Sequence, residues 1–393
     1  MRKQLLASAV LAMLSAPVAA EEIKIGIILG FTGPIESIAK DMGPAAELAM
    51  KEVNDAGGIL GGREIESVRG DSTCTDSAAA TSTTERLITS DKISAIVGGD
   101  CSGVTTAMLK NVAMAKGVVM ISPSATSPAL SSVPDNGLFF RTSPSDARQG
   151  QILAEVLQSR GIKTAALTYT NNDYGKGLAD SIKANFAKIG GKITISAAHE
   201  DGKGDYSAEV GALAAAGGDV LIVAGYLDQG GKGVIQAALD SGAFSIFVLP
   251  DGMVGDALPK AIGPDLDSSF GTVPGTNSPG GKTFQDMVKN AGFKAGPFTA
   301  ESYDAAALIM LAMQAAGSAD SSKFKSAVLS VANAPGEKIY PGDLAKAIKI
   351  LNDGGEIDYV GASAVELIGE GESAGNYREI EIKDGQVVTV GYR

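Results

Sequence analysis

Two short turns rich in hydroxyl groups, Cys101-Ser102-Gly103 and Ser122-Pro123-Ser124-Ala125-Thr126, each follow a short apolar run, 93–97 and 118–121. Between them Met108, Val112 and Ala115 fall on one face of a predicted helix that stops at Lys116-Gly117 and has Ser102 at its N-cap position. The first turn of a helix leaves backbone N–H groups unpaired and carries a positive partial charge, so hydroxyls and N–H groups there attract an anion. Two such turns at neighbouring strand ends could hold one carboxylate between them. Taken alone, the simpler reading is that Ser102 only caps its own helix.

Other chemistry is sparse. The chain has one histidine, His199, expected exposed at a strand end, and no Gly-x-Ser-x-Gly elbow, which leaves no case for a Ser-His-Asp hydrolase. The stretch from Thr276 to Thr283 resembles a phosphate loop, but threonine stands where its first glycine belongs, so it reads as a connection before a helix. The carboxylates are scattered, and no metal-ligand spacing appears. No catalytic residue, metal or cofactor is expected. The net charge of −12 offers no footprint for nucleic acid or an anionic membrane.

Residues 1–20 read as a cleaved signal peptide, with Arg2 and Lys3, an apolar stretch over 5–18, and Val18-Ala19-Ala20 before Glu21. That stretch is short for a membrane span, and nothing later resembles one. The expectation is an exported protein of the periplasm, not itself embedded in a membrane. In an oxidising compartment the two cysteines, Cys74 and Cys101, favour a disulfide.

The elements that would position the turns alternate throughout. Strands are expected over 23–29, 64–68, 93–97, 118–121, 164–168, 193–197, 220–223 and 246–249, most of them followed by a helix, and a long helix covers 302–316. The passages 139–145 and 271–275 are extended and could carry the chain between two halves, and two strands, 377–382 and 387–390, close it. Such alternation gives an α/β fold of doubly wound parallel sheets, with ligands at the carboxyl ends of the strands.

With these residues in view, the chain resembles the leucine/isoleucine/valine-binding family of type I periplasmic substrate-binding proteins, which serve ABC importers. The markers are Gly30-Phe-Thr-Gly-Pro34, Asn54-Asp-Ala-Gly-Gly58, Asp71-Ser-Thr-Cys74, the Cys101-Ser102 turn, Ile121-Ser-Pro-Ser-Ala-Thr126, Asp173-Tyr-Gly175, Ala224-Gly-Tyr226 and Tyr303-Asp304. Each is weak alone, but their order and spacing are specific. The resemblance implies two lobes joined by three crossovers, approximately 21–142 with 273–376 and 143–272 with 377–393. It implies a ligand α-carboxylate on Ser102 and Thr126 with backbone near Ser124, an ammonium on Asp251, and pocket walls from Tyr174, Tyr226 and Phe298. Tyr174 and Phe298 are equally readable as core aromatics.

The sequence departs from the family pattern in places. Asp100 stands where leucine-binding members carry an apolar contact, Ile38 where an aromatic is common, and Glu36 adds a carboxylate nearby. An acid in the pocket would favour a polar, amide or basic side chain, whereas Asp100 turned to solvent or capping a backbone N–H would have no such effect. The implied function is delivery of an amino acid by a monomer to a permease in the inner membrane. The alternatives are an amide, urea-like compound or aromatic carboxylic acid as ligand, or a sensory receptor role.

Overall fold

The computed structural model describes residues 21–393, so the expected signal peptide lies outside the described residues. Two sheets organise the chain. The first has five parallel strands in the order Ile65–Asp71, Ile23–Leu29, Ala95–Gly98, Val119–Ser122 and Phe139–Arg141. The second has seven, in which parallel strands Lys192–His199, Thr164–Thr170, Val220–Ala224, Phe247–Leu249 and Phe270–Pro274 are extended by the antiparallel pair Tyr377–Lys383 and Gln386–Tyr392. Inner strands such as 95–98 and 220–224 are buried at every position, as expected when helices cover both faces.

The helices follow from their patterns. Helix Glu36–Asp55 buries Ile38, Met42, Ala45, Ala49 and Val53 against the first sheet at helical spacing. Helix Thr299–Ala316 is buried nearly all round, which its alanine- and methionine-rich sequence permits. Among the described residues no helix is long and apolar enough to cross a membrane.

The passages expected to link the halves are themselves partly strands. Phe139–Arg141 is the edge of the first sheet, and Phe270–Pro274 pairs within the second. The crossings therefore come just after them, at 142–145 and 275–278, with a third at 374–376. They lie side by side: Pro144 bridges Ser373, and the Gly275 N–H donates to Asn376 O at 3.0 Å. Two lobes joined by three adjacent crossings can pivot about them, and the carboxyl ends of both sheets face the cleft.

Candidate functional site

The wall on the first lobe is built by two turns that hold each other. Cys101, with extended backbone, occupies the N-cap position, and Ser102 is the first helical residue, one step later than its sequence suggests. Cys101 cannot cap because its sulfur is bonded to Cys74. The Ser102 hydroxyl instead accepts the Ser127 N–H at 3.1 Å, which ties its turn to the next one. Ser122 Oγ donates to Gly99 O at 2.5 Å and accepts from Ala125 N–H at 2.9 Å, while Ser124 Oγ donates to Asp100 O at 3.1 Å.

Arg141, which the sequence reading overlooked, sits behind this wall fully buried. Its guanidinium donates to the carbonyls of Ala125 and Ser127, each at 3.0 Å, and pairs with Glu372. It fixes the backbone that carries Thr126. The Thr126 hydroxyl is buried and has no hydrogen-bond partner among the described residues.

Asp100 is buried with its oxygens engaged. It accepts from Gly30 N–H, from Cys101 N–H at 2.9 Å and from Ser72 Oγ at 3.0 Å. Burial raises its pKa, and these three bonds oppose the rise. A Cβ on Gly30 would come within 3.1 Å of both the Asp100 carboxylate and Cys74 Cβ, so the close approach favours glycine there. Asp100 thus borders the pocket as the brace of two loops.

Across the cleft, the strand Phe247–Leu249 delivers Asp251 and a short 3₁₀ turn. Asp251 Oδ1 accepts from Tyr174 OH at 2.6 Å and from Gly252 N–H at 2.7 Å. A Cβ at 252 would meet Gly225 O at 2.6 Å and Tyr174 OH at 2.7 Å, so glycine is needed for this approach. Asp251 Oδ2 is buried with no hydrogen bond within 3.5 Å among the described residues, and burial pushes the carboxyl up to about 6 against the pull of the Tyr174, Gly252 and Gln149 donors. The Tyr174 and Tyr226 rings stack with centroids 5.2 Å apart.

These residues line a pocket between the lobes. The first lobe supplies Ile35, Ile38, Asp100, Ser102, Ser124 and Phe298, and the second supplies Tyr174, Tyr226, Asp251 and Gly252. Phe298 reaches it from a left-handed backbone conformation (φ 59°) just before its helix. Glu36 does not join them: it is exposed in the first turn of helix 36–55, and its neighbour Ile35 faces the pocket instead. His199, expected at the surface, is buried, its Nδ1 2.8 Å from Thr168 Oγ1.

Behind Asp251 lie further buried groups absent from the sequence reading. Both carboxylate oxygens of Asp146, Gln149 Oε1 and Tyr377 OH have no hydrogen-bond partner among the described residues. Burial, then the Asp251 charge, raises the Asp146 pKa well above the ordinary carboxylate range. The Thr126 hydroxyl and Arg141 oppose this from nearby. Asp146 opens the helix Asp146–Ser159 directly after the first crossing.

A small-molecule cleft closed between two parallel-sheet lobes defines a two-lobed binding protein. Residues 22–340 match the periplasmic binding protein family, and the chain belongs to it. A Leu/Ile/Val-binding protein homolog of Brucella melitensis is 31% identical over 306 residues, 76% of this chain and 80% of that protein. The fold is shared with the branched-chain amino acid transporter substrate-binding protein of Streptococcus pneumoniae, in complex with isoleucine (TM-score 0.78, 23% identity, 95% of this chain and 99% of that one). It is shared also with an ABC transporter solute-binding protein of R. palustris in complex with benzoate (TM-score 0.74, 21% identity, 94% and 96%).

Proposed function

We propose that this protein is the periplasmic substrate-binding component of an ABC importer and that it carries a free amino acid between its lobes to the permease. The observation that carries the ligand class is the buried, unpartnered Oδ2 of Asp251, set across the pocket from Ser102 and Ser124. A zwitterion needs hydroxyl and N–H donors at one end and an acceptor-only group at the other. With the two on opposite lobes, both charges are matched only when the cleft is closed, so the ligand favours closure through its differential affinity.

The stacked tyrosines support a second reading, a flat aromatic acid like the benzoate of the R. palustris protein. Such a ligand has no amine and leaves Asp251 buried without a counter-charge, which is costly. Mass spectrometry of the small molecule released by denaturing the purified protein, followed by calorimetric titration, separates the two. Recovery of an amino acid supports the first, and tight binding of an amine-free acid that is insensitive to Asp251→Asn overturns it.

A further inference from the structure

We infer that His199 is a positioning residue for ligand capture: its neutral imidazole holds the loop 225–230, and a proton on that ring loosens the loop and the ligand together. This rests on the ligand-binding cleft described above but not on which ligand fills it.

The loop between strand Val220–Ala224 and helix Gly230–Asp240 carries two residues of the cleft. Tyr226 lines the pocket, and the Asp228 carboxylate accepts the Ser37 N–H of the other lobe at 2.9 Å. The loop is packed on two sides. On one, Gly225 O lies so near the Asp251 turn that a Cβ at Gly252 would stand 2.6 Å from it. On the other is the His199 ring: a Cβ on Gly225 would stand 3.1 Å from Nε2, and one on Gly230 would stand 2.9 Å from Cδ2. The ring thus abuts the backbone at both ends of the loop. It is placed from the end of strand Lys192–His199, with Nδ1 2.8 Å from Thr168 Oγ1 and the Tyr206 ring edge-on at 6.3 Å.

A neutral imidazole suits this seat and an imidazolium does not. Thr168 serves Nδ1 in either state, because a hydroxyl both donates and accepts. Nε2 is buried with no hydrogen bond within 3.5 Å among the described residues. The neutral ring can keep Nε2 bare, but the cation carries a proton on both nitrogens and needs water or an oxygen where Gly225 now packs. Glu200 and Glu209 favour that proton, yet burial outweighs them and holds the midpoint at about 4 in this arrangement of the lobes. The other charged groups about the ring are occupied. Asp201 accepts from Gly230 N–H at 3.2 Å and from Thr170, Lys203 pairs with Glu209 and lies over the Tyr206 ring, and Asp228 turns to the first lobe.

The coupling follows from how the loop is pinned. With the lobes together, Asp228 ties the loop to the first lobe and Gly225 stays against Nε2. With the lobes apart only contacts of the second lobe hold it, so water reaches the ring and the proton is taken up more readily. Ligand and proton therefore disfavour each other, and by the same factor.

The chain has a single histidine, so the imidazole signals in the NMR spectrum of the untagged protein report His199 alone. The common L-amino acids and benzoate are screened by calorimetry, and the tightest binder is carried forward. Adding it should lower the His199 midpoint by about half a pH unit or more, equal by linkage to about threefold or more in affinity. Tyr226 ring signals, assigned with Tyr226→Phe, should shift with the same midpoint as His199. In His199→Gln, affinity should fall about threefold less than in wild type from neutral pH towards pH 4. A midpoint unmoved by the binder, or Tyr226 signals that ignore the histidine titration, would overturn this inference. Binding of benzoate and of no amino acid would overturn the amino-acid reading alone, and benzoate then serves as the probe. If none of the probes binds, or His199→Gln does not fold, the Tyr226 and His199 midpoints of the unliganded wild type decide: a common midpoint supports the inference and separate ones overturn it.

Discussion

The Asp228 carboxylate of the second lobe accepts the Ser37 backbone N–H of the first at 2.9 Å, and the Asp228 N–H donates to Pro34 O at 3.0 Å. Helix Glu36–Asp55 has no side-chain cap of its own at Ile35, so its N-terminal donors are capped from the opposite lobe. Ile35 and Ile38 of the same helix end line the pocket. In this arrangement of the lobes a helix cap and a pocket wall are therefore formed together across the cleft. Lys294 and Asp256 also meet across the cleft at 2.7 Å, but Lys294 is 80% exposed, and such pairs contribute little.

Asp228→Ala should therefore weaken ligand binding without unfolding the protein, because the cap exists only when the lobes are closed. A lost N-cap costs about 0.5–2 kcal/mol, or roughly 2- to 30-fold in affinity. Small-angle scattering of the ligand-saturated variant should show a larger open fraction than wild type. Affinity and scattering both identical to wild type would mean that Asp228 plays no part in closure.

Much of this fold is legible from the chain because buried parallel strands read as apolar runs and Gly or Ser marks where each ends. Residues whose role depends on one strand end, such as Ser102, Ser124 and Asp251, follow from that pattern together with the family resemblance. Glu36 misled because a carboxylate beside a pocket residue still points to solvent when helical geometry puts its neighbours Ile35 and Ile38 inward. Asp146, Gln149 and Tyr377 were illegible for another reason. Asp146 and Gln149 share one turn of a helix, but Tyr377 lies more than two hundred residues away and comes near Asp146 only through the hinge, which no local spacing encodes.

The Cys74–Cys101 disulfide spans 27 residues and fixes the turn that presents Ser102. Thiol titration of the denatured, unreduced protein should find no free thiol. Cys74→Ser with Cys101→Ser should cost roughly 3–4 kcal/mol of stability in the chain-entropy model, read by urea unfolding. A loss below about 1 kcal/mol would mean that the loop is already held by the bonds around Asp100.

Ser102 and Thr126 should behave differently as variants. Either Ser102→Ala or Thr126→Val should weaken binding by about 1.5–3 kcal/mol if its hydroxyl meets a charged ligand group, roughly 10- to 150-fold. In the unliganded protein, Ser102→Ala also strands the Ser127 N–H and should lower the melting temperature, whereas Thr126→Val removes a hydroxyl that lies near the Asp146 carboxyl. Titration and thermal unfolding of both variants test this, and unchanged binding in both would move the ligand to another turn.

Asp100→Leu should not convert the pocket to leucine preference. It would leave the Gly30 and Cys101 N–H groups and the Ser72 hydroxyl without their acceptor, at about 1–3 kcal/mol for each buried group. The expected result is a lower melting temperature and weaker binding of every amino acid tested. A gain in leucine affinity at unchanged stability would show that Asp100 acts on the ligand side chain directly.

His199 sets a pH dependence whose sign can be worked out. Burial, opposed by the nearby Glu209 and Glu200 charges, lowers its pKa from 6.5 to about 4. Between those values the unfolded chain binds a proton that the folded protein does not, so the histidine's contribution is lost as pH falls from 6.5 towards 4. That difference is worth roughly 3 kcal/mol. Asp251 and Asp304, raised to about 6, and Glu301, raised to about 7, act in the opposite sense, because the folded state holds their protons longer as pH rises. The wild-type profile is the difference of these terms, so the variant comparison isolates one of them. Relative to wild type, His199→Gln should lose roughly 3 kcal/mol less stability between neutral pH and pH 4, measured by urea unfolding at each pH. Parallel profiles for the two proteins would mean that His199 takes up its proton in the folded state, through its unpartnered Nε2 and the neighbouring Glu209.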